Sequence, residues 1–160
     1  MLRAASESDV PAIAAIYRAS STAREPDEID DALVLSMVRD ACTRGIALVA
    51  LEGERVVGFV LGPRHPVRRC RHVMTSVLVC VEADARGRGV GRALMEGLVD
   101  AARASDWCER IEFHVRASNE VAIALYESLG FVVEGRLRER VETPSGRVDD
   151  LLMAMLLPRR

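Results

Sequence analysis

At 160 residues, 49 % of them hydrophobic, the chain is long enough to bury one substantial core and too short to expect two domains. All 22 basic residues are arginine, set against 24 acidic ones, and the net charge of −2 leaves no nucleic-acid footprint. The opening MLRAASESDVPAIAAIY lacks the basic start and unbroken apolar core of a signal peptide, and no run approaches the roughly 20 apolar residues of a membrane span.

A short first strand, Leu2–Ala5, leads into a helix that Ser6 or Ser8 can cap, with Val10, Ile13, Ala14 and Tyr17 on one face. A second helix is expected from about Ile29 to Cys42, burying Leu33, Met37 and Ala41. GIALVALEGERVVGFVLG is two apolar runs around Glu52-Gly53-Glu54 and reads as a β-hairpin. After the basic loop HPVRRCRH, the stretch Met74–Val81 is a near-continuous Val-rich strand of the kind buried on both faces. A helix over Gly91–Ala104 follows, with Leu94, Leu98 and Ala101 in register, and then the short strand RIEFHV. SNEVAIALYESLG is a helix with Ser118 as N-cap and Gly130 as C-cap. FVVEGRLRERV and RVDDLLMAML are strands joined by a turn at Thr143-Pro144-Ser145-Gly146. This order predicts an α/β fold in a single domain over residues 1–160, a mixed, mostly antiparallel sheet with helices on both faces.

ARGRGVGRALM, Ala85 to Met95, packs three glycines into five residues between the Val-rich strand and the helix. Each glycine costs roughly 0.5–1 kcal/mol relative to alanine, so something must require them. A strand, a glycine-rich turn and a helix N-terminus form an anion-binding arrangement, because the first helical N–H groups lack intrahelical partners and the dipole favours negative charge there. A Walker loop needs GxxxxGK[ST], and the chain contains no lysine. The dinucleotide fingerprint GxGxxG fails in both registers, since Arg92 and Leu94 fill the third glycine's slot. A tight turn without ligand is the remaining alternative on this segment alone.

RGRGVG, Arg86–Gly91, is similar to the Arg/Gln-x-x-Gly-x-Gly/Ala pyrophosphate loop of the GNAT superfamily of N-acetyltransferases. SNEVAIALYESLGFVVEGRLRE resembles the N-x-x-A-x-x-LY-x-x-x-GF-x-x-EG segment of many bacterial members. LRAASESDVPAIAAIY and GRVDDLLMAMLL resemble their first strand and helix and their last strand, so the likeness covers nearly the whole chain, weakest over Ser20–Arg44. Among subgroups it is nearest to amino-acid and small-amine acetyltransferases. The resemblance implies a central strand splayed at the cofactor cleft, acetyl-CoA as co-substrate, no metal, and direct attack of an amine on the thioester. It implies that the backbone amides of Gly87, Arg88, Gly89, Val90, Gly91 and Arg92 hold the pyrophosphate, with charge added by Arg86 and Arg88. Val79 and Val81 would pair with the pantetheine arm, and the Val79 amide would face the thioester oxygen. Tyr126 matches the tyrosine near the CoA sulfur, where a phenol can donate to a departing thiolate. Asn119 matches the asparagine that bonds the cofactor arm and is equally a helix-start residue. Gly146-x-x-Asp149 with Arg138 opposite matches a further family feature, read as a structural turn and strand pair.

The attacking amine must be neutral. At pH 7 that costs a lysine-like amine (pKa ~10.4) about 4.6 kcal/mol and an α-amine (pKa ~8) about 1.4 kcal/mol. Several relatives carry a glutamate near the start of the central strand, where this chain has Thr75 and Ser76, so a dedicated carboxylate base is in doubt. The remaining candidates are His114, Glu112 and Glu82, of which His114 has the intrinsic pKa suited to the task. The alternative roles are a structural histidine, a Glu112 partner for Arg110 or Arg116, and a solvated Glu82. The acceptor is therefore expected to be a small-molecule α-amine or similarly weak amine. A protein or peptide N-acetyltransferase, or a non-catalytic acyl-CoA sensor of the same fold, are the alternatives. Arg64, Arg68, Arg69 and Arg71 with His65 and His72 suit the CoA 3′-phosphate, a substrate carboxylate or plain solvent. Cys42, Cys70, Cys80 and Cys108 form no CxxC pair, so neither zinc nor a disulfide framework is expected and a reduced, cytoplasmic setting is the default. No nucleic-acid or membrane partner is expected, and a homodimer would be unsurprising for the family.

Overall fold

The computed structural model describes residues 1–20 and 24–158. The elements run β1 (Leu2–Ala4), α1 (Val10–Arg18), α2 (Asp31–Arg44), β2 (Ile46–Glu52), β3 (Arg55–Gly62), β4 (Val73–Met74), β5 (Leu78–Val81), α3 (Val90–Ala104), β6 (Arg110–Arg116), α4 (Glu120–Ser128), β7 (Val132–Thr143) and β8 (Gly146–Leu156). The α/β architecture is mostly antiparallel, with helices on both faces, but its strands form two four-stranded sheets, β1-β2-β3-β5 and β4-β6-β8-β7. Among the described residues the one parallel pairing is β4 on β6. No helix among the described residues is long and apolar enough to cross a membrane.

The first sheet buries both faces by period-two alternation. Val49, Phe59, Leu61 and Cys80 pack under α1 and α2, while Ala50 and Val60 face the cluster that includes Leu94, Met95 and Leu98 of α3. Glycines let α3 lie close to this sheet: a Cβ at Gly58 would stand 3.1 Å from Leu94 Cδ1, and one at Gly62 only 3.0 Å from Leu98 Cδ1. The second sheet completes the α3 core with Ile111, Phe113, Val115, Met153 and Met155.

The Val-rich run expected as one strand is two. At Met74 the chain still lies between the sheets, bridged to Arg64 on one side and paired with Ile111 on the other. Beyond it Ser76 takes φ +52°, and β5 continues with β3 while β6 diverges. No strand among the described residues replaces β6 on the open side of β5. Leu78, Val79 and Val81 are therefore only half-buried, and of the run Met74–Val81 only Met74 and Cys80 are buried, short of the sequence expectation of burial on both faces.

Smaller departures follow from packing. The buried row of α2 is Val34, Val38 and Ala41, with Leu33 and Met37 half-buried; α3 buries Ala102 where Ala101 was expected. The buried row of α2 is thus shifted by about one position from the expected face in its first two turns, whereas α3 buries Leu94 and Leu98 as expected and differs only in its last turn. Asn119, not Ser118, caps α4, its side-chain oxygen accepting from Ala122 N at 3.2 Å.

Candidate active site

The strand-to-helix turn is shaped by two left-handed residues, Gly87 at φ +72° and Gly89 at φ +83°. A Cβ on either would be conformationally strained and would meet nothing within 4 Å, so both glycines face open space. Gly89 is the N-cap of α3, and no side chain caps this helix. The first-turn amides of Val90, Gly91 and Arg92 are thus without an intrahelical partner, on a helix of 15 residues whose dipole points its positive end into that space. The arginines around the turn are engaged. Arg86 donates Nε to Val81 O at 3.0 Å, Arg88 pairs with Glu52, and Arg92 reaches Ser128 Oγ at 2.9 Å. The charge expected from Arg88 is spent on the hairpin: Glu52 is held below the usual carboxylate range, first by Arg88 and then by Arg55.

The gap beside the turn is lined by backbone. Glu82 N donates to Val57 O at 2.9 Å, which fixes the even residues of β5 toward β3 in the antiparallel ladder. Val79 and Val81 accordingly point their backbone groups into the gap, where Arg86 already takes the Val81 carbonyl. On the facing strand, Ala117 N donates to Asp149 O at 2.9 Å, so the odd residues of β6 bond β8 and the even ones turn toward β5. Between these walls lies a cleft of about 310 Å³ that gathers Val77, Leu78 and Val79, Phe113 to Arg116, Asn119, Tyr126, Tyr17, Arg24, Val141 and Asp150.

Tyr126 reaches the cleft from α4 and is held by that helix's end. Gly130, at φ +97°, donates its N–H to Glu127 O, and Phe131 donates to Tyr126 O, both at 3.0 Å, a Schellman closure. Phe131 then packs edge-on to Phe113, and Phe113 on Tyr126, with centroids 5.0 and 4.6 Å apart. Burial, with a small contribution from Cys80, pushes the phenol up to about 12. Asn119 lines the same cleft, but its oxygen is committed to the helix cap.

Of the three base candidates only His114 lines the cleft. Strand alternation puts it on the face opposite Phe113 and Val115, so Tyr126 and His114 approach the gap from opposite sides. Its Nδ1 is 3.7 Å from Asp150 Oδ2. Glu112 is tied to Arg110 Nε at 2.7 Å and to Thr75 Oγ1 at 3.3 Å; Glu82 pairs with Arg55 at 3.0 Å. Asp150 was missed in the sequence, where RVDDLL reads only as a strand. The stretch Ser20–Arg44, where the family likeness is weakest, includes residues 21–23, which lie outside the described residues; Arg24 from it lines the cleft. The basic run sits on the β3–β4 loop, at the closed end of the gap. Its Arg64 stacks 4.9 Å over the Trp107 ring.

The model of the acetyltransferase (GNAT) family matches residues 10–131. The chain belongs to the GNAT acetyltransferase family. Among GNAT relatives, the [ribosomal protein bS18]-alanine N-acetyltransferase of Escherichia coli (strain K12) is 43 % identical over 81 residues, 48 % of this chain and 51 % of that protein. The chain thus spans about half the length of that relative. The phosphinothricin N-acetyltransferase of Alcaligenes faecalis is 27 % identical over 95 % of this chain and 80 % of its own length. A solved ribosomal-protein-alanine N-acetyltransferase from Brucella melitensis superposes with a TM-score of 0.87 at 29 % identity, covering 98 % of this chain and 99 % of that one.

Proposed function

We propose that the chain transfers the acetyl group of acetyl-CoA to the primary amine of a small molecule, an amino acid or related amine, by direct attack with both substrates bound. The observation that carries this reading is the uncapped start of α3 opening onto a strand edge that no strand among the described residues pairs. Such an edge suits an amide-bearing pantetheine arm, and the bare amides suit a diphosphate. Membership in the family supports the donor. Arg24 and Arg116, both on the cleft wall, give the acceptor side a cationic lining that suits an acceptor carboxylate.

The acceptor arrives as an ammonium ion. His114 takes one proton on its Nε2, and the freed lone pair attacks the thioester carbonyl carbon. The Val79 N–H faces the carbonyl oxygen as negative charge develops on it. As the C–S bond breaks, Tyr126 donates a hydrogen bond to the sulfur. With its pKa near 12 the phenol stays protonated. Full transfer to a thiolate of ordinary basicity, pKa ~8.5, would run about 5 kcal/mol uphill, so Tyr126 acts as a hydrogen-bond donor. The thiolate takes its proton from the acylated nitrogen, and His114 returns its own to water.

A protein N-terminus is the second reading, favoured by the ribosomal-protein relatives and by a further cleft of about 320 Å³ beyond Arg24 and Arg116 toward Glu142–Pro144. Thiol release from acetyl-CoA against amino acids, polyamines, aminoglycosides and Ala-initiated peptides separates them. Turnover with amino-acid-like amines is expected. Turnover with peptides alone would transfer the assignment to the second reading, and tight CoA binding with no turnover would make the chain a sensor.

A further inference from the structure

Asp150 is a charged residue with no evident task in the reaction as described. It is 6 % exposed, in the middle of β8, and it lines the cleft. Burying a carboxylate is costly unless its oxygens find cationic or hydrogen-bonding partners. Three cationic or protonatable side chains surround it: His114 with Nδ1 at 3.7 Å, Arg140 of β7 with Nε at 3.4 Å, and Arg116, its register partner on β6. The neighbouring Asp149 is used differently. It takes Arg136 Nε at 2.6 Å and the Glu139 amide at 2.9 Å, and so closes the β7 bulge where Glu139 adopts φ +51°. That bulge, between Leu137 and Val141, lies at Arg140 and next to Val141, which lines the cleft. Adjacent acids on one strand thus hold the bulge and face the cleft, respectively.

We propose that Asp150 is a positioning residue for His114: it accepts the Nδ1–H, fixing the tautomer whose Nε2 lone pair is free for the acceptor's ammonium proton. This rests on the reading of His114 as base. The separation is longer than a closed hydrogen bond, as catalytic contacts commonly are before substrate is bound. In water the neutral imidazole favours the opposite, Nε2–H tautomer, which has no acceptor at the position the proton must reach, so an orienting carboxylate has a defined effect. Arg140 Nε lies 3.4 Å from the same Oδ2 that faces His114 Nδ1, so arginine and histidine converge on one carboxylate oxygen.

Two measurements test this. The chain has three histidines, His65, His72 and His114, so ¹⁵N spectra of histidine-labelled protein at about pH 8 resolve them, with His114 assigned from its loss in His114→Ala. The expected signature is an Nδ1–H tautomer at His114 in the wild type, a readout that requires no variant at Asp150 to fold. In a kinetic cycle, His114→Ala should lower kcat about 100-fold. Asp150→Asn should lower kcat about tenfold with the KM for acetyl-CoA unchanged, and should add nothing in the His114→Ala background. A dominant Nε2–H tautomer, or an Asp150→Asn loss that is as large without His114 as with it, overturns the proposal while leaving His114 as base. Full kcat in His114→Ala overturns both, while acetyl transfer itself stands.

Discussion

Burial acts alike on two ionisable groups, Tyr126 and Cys80, but with different consequences for the reaction. Burial keeps the phenol protonated, which is what a donor to a leaving sulfur requires. Tyr126→Phe is therefore expected to lower kcat about 10- to 100-fold with the affinity for CoA unchanged, read by steady-state kinetics beside calorimetry; a wild-type rate would remove Tyr126 from the reaction. Burial also pushes the Cys80 thiol up to about 11, with Ser20 only partly offsetting it. Its thiolate is then scarce at neutral pH, and direct attack by the amine leaves it nothing to do. Ellman's reagent at about pH 8 should titrate exposed Cys42 and half-buried Cys70 in the native protein, and Cys80 and Cys108 only after unfolding. Rapid native labelling of Cys80 would contradict its burial.

At the scale of elements, the helix ends are the instruments of the site. Asn119 starts α4 and the Gly130 closure ends it, so the register of Tyr126 in the cleft is fixed from both sides. Asn119→Ala should cost about 1 kcal/mol by losing the cap. An accompanying rise in the Kd for acetyl-CoA would mean that the amide also touches the cofactor, and stability loss alone would confine it to capping. These ends were legible locally: the SNE start and the LGF stop lie in fourteen contiguous residues, and only the choice between Ser118 and Asn119 went astray. The hairpin was equally legible, because Gly53, at φ +60°, marks its turn. The break at Thr75–Val77 was not, since a valine-rich run says the strand is apolar but not which sheet each half joins. Asp150 was hidden for the same reason. Its burial depends on register with β6 and on the β7 bulge, both long-range facts.

Across the whole molecule, stability and function draw on different ends of the first sheet. Arg3 of β1 forms a forked pair with Asp9 at the start of α1, at 2.8 and 2.7 Å, and Ser6 adds its amide at 2.8 Å. The Arg3 hydrogen bond, more than burial opposes it, holds the Asp9 carboxyl below its usual range, with Ser6 reinforcing. A carboxyl depressed on folding stabilises above its unfolded pKa of about 4 and loses that contribution as pH falls through the lower folded value. Asp9→Asn should thus cost about 1 kcal/mol near pH 7, since Arg3 is partly open to solvent, and lower Tm by a few degrees. The gap from wild type should close below about pH 4; a constant gap would assign the loss to packing instead.

The glycine turn carries the central claim, and isothermal titration calorimetry of coenzyme A addresses it most directly. Wild-type protein should bind one CoA per chain, and Gly89→Asp, which puts a strained, negatively charged side chain into the space facing the α3 amides, should abolish the heat while leaving the thermal unfolding transition in place. Equal binding by the variant, or none by the wild type, would contradict the account.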